Sequence, residues 1–543
     1  MKNKRNDLVF TARSIESVTQ SWGIFGRLDS MVFLVAAITC FGFVIWGAID
    51  AKSLGATMNS ILGVISKDFG WLYLLSVFGF VVFLFWLAFG RYGSTVLGKD
   101  GDKPEYSNFS WFAMLFGAGM GIGLVFWSIA EPLYHYTAGP AYAGAPLSSS
   151  AAEWAMAISF FHWGISAWAV YVVIGIPMAF LIWRKGLPAL ISSMFYPIMG
   201  DKIYGPIGKT IDIITLVITF FGLSTTVGMG TMQLASGISF NYGVALDNYL
   251  YMPILAICCI CYLCSACLPI EKGIKVGSDI SMICTLGLML FIFIAGPTTF
   301  ILDNTVNATG LYLQNFIRMS LWTDPVAHTG WPGSWTIFYW AWWITWAPFV
   351  GMFIAKISKG RTIREFIIAA LIVPSIFDAV FFSIFGSTAL NFEMTQATKG
   401  LIMNAVNTDV SSAIYVMMAQ FPLVQLIIPI LLFVAFTFFV VSIDSGTIVL
   451  GMLSSGGDES PRTSLKILWG IALAGAAAIE IFLGGIKPVQ TLCIIMVLPF
   501  VFIMIALCYS TIKMLRQDCV IDANVVQQSP ALEENTAKLT SST

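Results

Sequence analysis

Long apolar runs recur along almost the whole of this chain, and they set what it can fold into. A run of about 20 apolar residues crosses roughly 30 Å of hydrocarbon as an α-helix. Inside a bilayer every backbone polar group must find an internal partner, so such runs become helices. The sequence predicts spans at about 31–50, 70–90, 111–130, 153–183, 210–240 and 250–268, then at 277–302, 335–355, 366–390, 420–452, 465–484 and 489–512. Composition agrees. Of 543 residues 58% are hydrophobic and only 10% charged, too little charge to solvate a soluble surface. The expected fold class is an all-α polytopic membrane protein with twelve transmembrane helices.

The basic residues orient these spans. With a cytoplasmic N-terminus and strict alternation, 23 of the 28 Lys and Arg fall on the inside, leaving Lys52, Lys67, Arg318, Lys399 and Lys487 outside. That bias places both termini in the cytoplasm and favours an even number of spans. Residues 1–26 are polar and lack the short apolar core of a signal peptide. The segment 304–330 is too polar to span, and Leu311, Phe316, Met319 and Trp322 share one face, as in an outer interfacial helix. The tail from Arg516 is polar and expected to be disordered.

Several chemistries are excluded. No basic patch points to nucleic acid. No Walker motif, nucleophile elbow or HExxH occurs, so neither ATP drive nor hydrolysis is indicated. Five of ten cysteines fall between Cys258 and Cys267, but one helix cannot bring their thiols into a tetrahedron, so no metal is expected there.

Two stretches carry the functional signal. Gly117, Gly119, Gly121 and Gly123 alternate in the third span. Glycine is costly in a helix and favours unwinding, and freed carbonyls at membrane depth are tolerated only where they line a cavity. Pro348 and Gly351 suggest a similar interruption in the eighth span. Interrupted helices at matching places in two five-span blocks point to an inverted-repeat transporter with its site near the midplane. The eighth span also holds Trp342, Trp343 and Trp346, too deep for an interfacial aromatic belt. In the fourth, Trp163 and Tyr171 lie about 80° apart around the helix with Trp168 beside them. Indole faces attract desolvated cations. The spacing by itself fits aromatic packing and an onium cage equally well. His162 reads as a packed, hydrogen-bonded histidine, and Asp212, Asp279, Asp378, Asp444 and Glu480 are acids in or near spans.

GAGMGIG followed by FW-x-x-AEP, then HWG-x-x-x-W-x-x-Y, then FYWAWWITWAPFVGMFIAKISKGRTIREF together resemble the betaine/choline/carnitine transporter family. The likeness covers about residues 27–515. It implies the fold of sodium-coupled amino-acid transporters: a cytoplasmic segment 1–26, two leading helices within 27–110, five-helix repeats at 111–303 and 335–515, an outer interfacial helix within 304–334, and a short disordered cytoplasmic tail, 516–543. It also implies a homotrimer in a bacterial inner (plasma) membrane. The implied substrate is a small quaternary-ammonium compound. Its trimethylammonium group would be caged by Trp163, Trp168, Tyr171, Trp342, Trp343 and Trp346, with Gly119, Met120 and Gly121 of the broken span beside it.

In choline-carrying members an aspartate often stands at the position of Gly123. The glycine favours a zwitterion, glycine betaine before carnitine, γ-butyrobetaine or dimethylsulfoniopropionate. For a coupling sodium ion, the resemblance implies one site from Gly117, Met120, Phe438 and Ser442, and a second from Thr219 and Phe349. Val441 and Leu223 stand where further threonines are expected, so each site has lost a hydroxyl. Ser281 and Val350 stand where sodium-independent exchangers have Arg and Met. The leading reading is import by cation symport with no cofactor beyond the ion. Sodium-independent exchange of carnitine-type compounds, choline or dimethylsulfoniopropionate uptake, and a transporter-derived sensor are the alternatives.

Overall fold

The computed structural model describes residues 15–99, 101–119, 121–267, 270–484 and 486–540. Apart from a two-residue antiparallel pair, Gln20–Ser21 with Arg27–Leu28, its regular structure is helical. The long helices are α1 Ser30–Ile49, α2 Ala51–Phe89, α3 Asn108–Gly119, α4 Ile122–Ala138, α5 Ser149–Trp163, α6 Ile165–Phe180, α7 Pro206–Tyr242 and α8 Asn248–Cys267. Then come α9 Ile270–Ala295, α10 Thr298–Leu321, α11 Thr336–Lys356, α12 Ile363–Met394, α13 Val424–Ser454, α14 Thr463–Phe482 and α15 Ile486–Thr540.

Among the described residues ten helices are each long and apolar enough to cross a membrane, α5 and α6 together making one of them. The two other expected spans coincide with helices that are broken or sharply bent. One is α3–α4, broken into 12 and 17 residues. The other ends at Ala295, where Gly296-Pro297 turns the chain by 107° into α10. The expected interfacial helix therefore begins six residues before 304. Its expected apolar face packs inward, with Met319 buried and Leu311, Phe316 and Trp322 against the core.

Three expectations change. The second span extends back to Ala51, because residues 51–69 continue the helix rather than forming a loop. Gly351 and Pro348 do not interrupt the eighth span: α11 is continuous from Thr336 to Lys356. A single proline removes one backbone donor, and this helix is held by burial on nearly every side. Finally, α15 runs on to Thr540 where disorder was expected from Arg516. Asp518 anchors the start of that extension, at 2.6 Å from both Arg184 Nε and Lys185 Nζ.

Burial separates two roles. Helices α5, α6, α7 and α11 are enclosed along most of their length. By contrast α1 and α8 present Ile38, Ile45, Ile49, Ile257 and Ile260 outward, as lipid-facing helices do. Helix α11 lies along α6, with α7, α2 and α15 around it. The basic loop after α11 is a tie rather than a free end. Arg361 stacks 4.3 Å from the Trp111 ring and donates to Asn108 Oδ1 and Tyr106 O, pinning the start of α3.

Candidate substrate site

Two helix breaks shape the site. Between α3 and α4 the chain is fully extended at Gly121, φ −159° and ψ 174°. Met120, expected to contribute a carbonyl, lies outside the described residues, and Gly119 is the last residue of α3. A second break, not expected, follows Trp163. There Gly164 joins α5 to α6 at φ −89° and ψ −140°. A Cβ on Gly164 would stand 2.5 Å from Phe160 O and 2.9 Å from Tyr312 Oη, so only glycine fits.

These breaks face a cavity of about 760 Å³ lined by Trp163, Trp168, Tyr171, Trp342, Trp343 and Trp346, together with Gly117, Gly121 and Gly123. Trp342 and Trp343 stack at 4.8 Å between centroids and 18°. Trp163 stands edge-on to Trp343 at 4.8 Å and to Trp342 at 6.0 Å. Tyr171 is 6.4 Å from Trp343 and 5.4 Å from Trp168. The fourth and eighth spans thus form one continuous chain of five rings. Trp346 lies a turn further on, edge-on to Phe349 at 5.6 Å. Gly123 matters for packing: a Cβ there would lie 2.5 Å from Trp342 Cη2.

Three of the five rings are anchored through polar edges. Trp168 Nε1 donates to Asp378 Oδ2 at 3.1 Å, Trp343 Nε1 to His162 O at 2.9 Å, and Trp163 Nε1 to Glu131 Oε2 at 2.8 Å. Spending each N–H on a fixed acceptor holds the ring plane in place and keeps its face available to a cation.

Glu131 is the centre of a buried network that the sequence reading did not assemble. Its Oε1 lies 2.7 Å from His162 Nδ1 and 3.2 Å from His135 Nε2, and its Oε2 also accepts from the Tyr339 hydroxyl. His162 Nε2 is 3.0 Å from Thr336 Oγ1, so this histidine is locked by hydrogen bonds on both nitrogens. The carboxylate and two imidazoles have ligand atoms within 4.8 Å of one another. With four donors on its two oxygens, the carboxylate is already satisfied by α4, α5 and α11. The local signal was present, since Glu131 and His135 are one helical turn apart and His162 adjoins Trp163. What was missing was the packing that brings them together.

The residues expected at ion sites divide. Gly117, Phe438 and Ser442 line the central cavity, as do Val441 and Phe349. Thr219 does not. Its hydroxyl donates to Thr215 O at 2.8 Å within α7. Leu223 fills the space against α13, where a Cβ on Gly446 would meet its Cδ2 at 2.5 Å.

A bundle of membrane-crossing helices around a central cavity bounded by broken helices has the architecture of a multi-pass membrane transporter. The chain belongs to the betaine/carnitine/choline transporter family, whose sequence model matches residues 31–520. A protein named a probable glycine betaine transporter, from Desulfitobacterium hafniense, is 42% identical over 91% of this chain and 99% of its own length. The glycine betaine transporter OpuD of Bacillus subtilis is 40% identical over 91% of this chain and 96% of its own. The ectoine/hydroxyectoine transporter of Virgibacillus pantothenticus is 38% identical over 90% and 97%.

Proposed function

We propose that this protein imports a quaternary-ammonium zwitterion of the glycine betaine type by cation symport across a bacterial inner membrane. The observation that carries the reading is the five-ring chain of Trp163, Trp168, Tyr171, Trp342 and Trp343 around one cavity. A quaternary ammonium cannot donate hydrogen bonds, so π faces are its natural partners. The names of the relatives from Desulfitobacterium and Bacillus support betaine as cargo. Sodium at the Ser442 position is the reading for the coupling ion, since Gly117, Phe438 and Ser442 share the cavity wall. A second ion at Thr219 has less support, because Thr219 is not among the residues of the cavity wall.

Twelve spans in two inverted repeats, with cytoplasmic termini and residues 304–330 outside, complete this reading, on the basis of the 23-to-5 split of basic residues. A homotrimer is supported by α10, which exposes Leu302, Val306, Leu313, Ile317 and Leu321 along one stripe. Uptake of labelled glycine betaine into proteoliposomes tests the function. Uptake driven by an inward sodium gradient is the expected result. Equal rates in sodium and potassium media at matched potential would replace symport by exchange. No uptake of any quaternary-ammonium compound would refute the cage.

A further inference from the structure

Asp378 lies in α12, is 2% exposed, and belongs to the wall of the central cavity. Its Oδ2 accepts the Trp168 indole N–H, and its Oδ1 has no partner among the described residues. The described wall holds two carboxylates, Asp378 and Asp279, and no lysine, arginine or histidine. Asp279 is exposed rather than enclosed. Asp378 is enclosed, and its charge acts directly behind the cage at low local dielectric. A buried carboxylate with a single neutral donor is far from compensated. Either a cation in the cage or a proton of its own offsets it. The glycine at 123 therefore does not leave the site without a carboxylate, because the ninth span supplies one.

We infer that Asp378, hydrogen-bonded to the cage residue Trp168 on the cavity wall, sets the net charge of the accepted ligand. Ionised, it selects a quaternary-ammonium compound of net charge +1, and it admits a zwitterion only while it holds a proton. The inference rests on the quaternary-ammonium reading of the cage and adds the charge state that the cage accepts. A cation with ionised Asp378 and a zwitterion with protonated Asp378 give the site the same total charge. The proton comes from solution with the zwitterion and returns to solution when the zwitterion leaves.

The other titratable groups around this carboxylate do not reproduce the effect. Tyr171 is close enough to interact with it, and Asp279 shares the cavity wall. Glu131, His135 and His162, from α4 and α5, are engaged with one another. Helices α3 and α13 bring only uncharged residues to the described wall, as does α11.

The test measures binding of choline and of glycine betaine to the purified full-length transporter by tryptophan fluorescence from pH 5.5 to 8.5. Both ligands keep their own charge throughout. Proton linkage gives opposite signs: as pH rises choline tightens, by up to about tenfold per pH unit below the pH at which Asp378 exchanges its proton, and betaine weakens, by up to about tenfold per unit above it. Asp378→Asn keeps an oxygen for the Trp168 N–H and removes the charge. It should flatten both slopes and lower the choline-to-betaine affinity ratio at pH 8 by at least about tenfold. Asp378→Glu should preserve the opposed slopes, and so decides the matter if the Asn variant does not fold. Parallel pH profiles for the two ligands in the unmodified protein would overturn the inference. So would an Asn variant with the original ratio and slopes. If neither ligand binds the unmodified protein, the quaternary-ammonium reading fails, and the inference with it. Binding with a choline-to-betaine affinity ratio that does not rise with pH defeats the inference alone.

Discussion

Gly123→Ala is a one-carbon probe of the cage. A Cβ at this position would lie 2.5 Å from Trp342 Cη2 and 3.1 Å from Cζ2, with Trp163 Cη2 at 3.6 Å. Carbon atoms rest about 3.5–4.0 Å apart, so Trp342 must retreat by about 1 Å. It has little freedom to do so, since its faces are covered by Phe338 at 5.7 Å and by Trp343 at 4.8 Å. Overpacking of this kind costs about 1–3 kcal/mol. If binding needs Trp342 in its present place, most of that cost appears as lost affinity, about 10- to 100-fold. Gly121→Ala is the matched control. A Cβ there meets nothing within 4 Å, and the extended backbone at φ −159° suits any residue. Its affinity should stay within about twofold. Titration of purified protein with glycine betaine, followed by tryptophan fluorescence, compares the two directly. Equal affinity in the Gly123→Ala variant and the unmodified protein, or equal losses in both variants, would refute the claim that Trp342 touches the ligand from its present position.

Trp342→Leu should weaken betaine binding about three- to tenfold, because the ring lines the cavity and its stack on Trp343 at 4.8 Å holds that neighbour in place, and the same titration measures it. Trp346→Leu should cost less, because Trp346 pairs with Phe349 a turn beyond the five-ring chain. Ser442→Ala should reduce sodium-dependent uptake in proteoliposomes, whereas Thr219→Ala should leave its sodium dependence unchanged, because Ser442 lines the cavity and Thr219 does not. Glu131→Ala strands the N–H of Trp163 and the polar groups of His162, His135 and Tyr339. The network loss should be about 3–5 kcal/mol, with a clear fall in the thermal midpoint and a smaller fall for Glu131→Gln; an unchanged midpoint for the alanine variant would mean that the network does not stabilise the fold. A cysteine replacing Gly310 in a cysteine-free background should react with an impermeant reagent added outside, and reaction from the cytoplasmic side alone would invert the topology.

What the sequence by itself determined rests on local properties. Apolar runs longer than a bilayer is thick define helices without reference to any neighbour, and these made the chain legible as an all-α membrane protein. The alternating glycines marked the break at Gly121 because glycine weakens a helix wherever it sits. Trp163, Trp168, Tyr171, Trp342 and Trp343 stood out because indoles at mid-span are costly unless they serve packing or a ligand. The tertiary structure decided what depends on partners distant in the chain. Pro348 looked like a break, yet α11 remains whole because its neighbours enclose it. Gly164 was a lone glycine inside a long apolar run, and only its place against Phe160 O and the Tyr312 hydroxyl makes it a break. Glu131, His135, His162 and Tyr339 come from three helices, and only their packing turns four polar residues into one network. Asp378 was one of several acids in or near spans, and only the meeting of α12 with α6 sets its charge beside Trp168. Hydrophobic length is additive along a chain, whereas a hydrogen bond or a buried charge depends on which atoms meet, and that is a property of the fold.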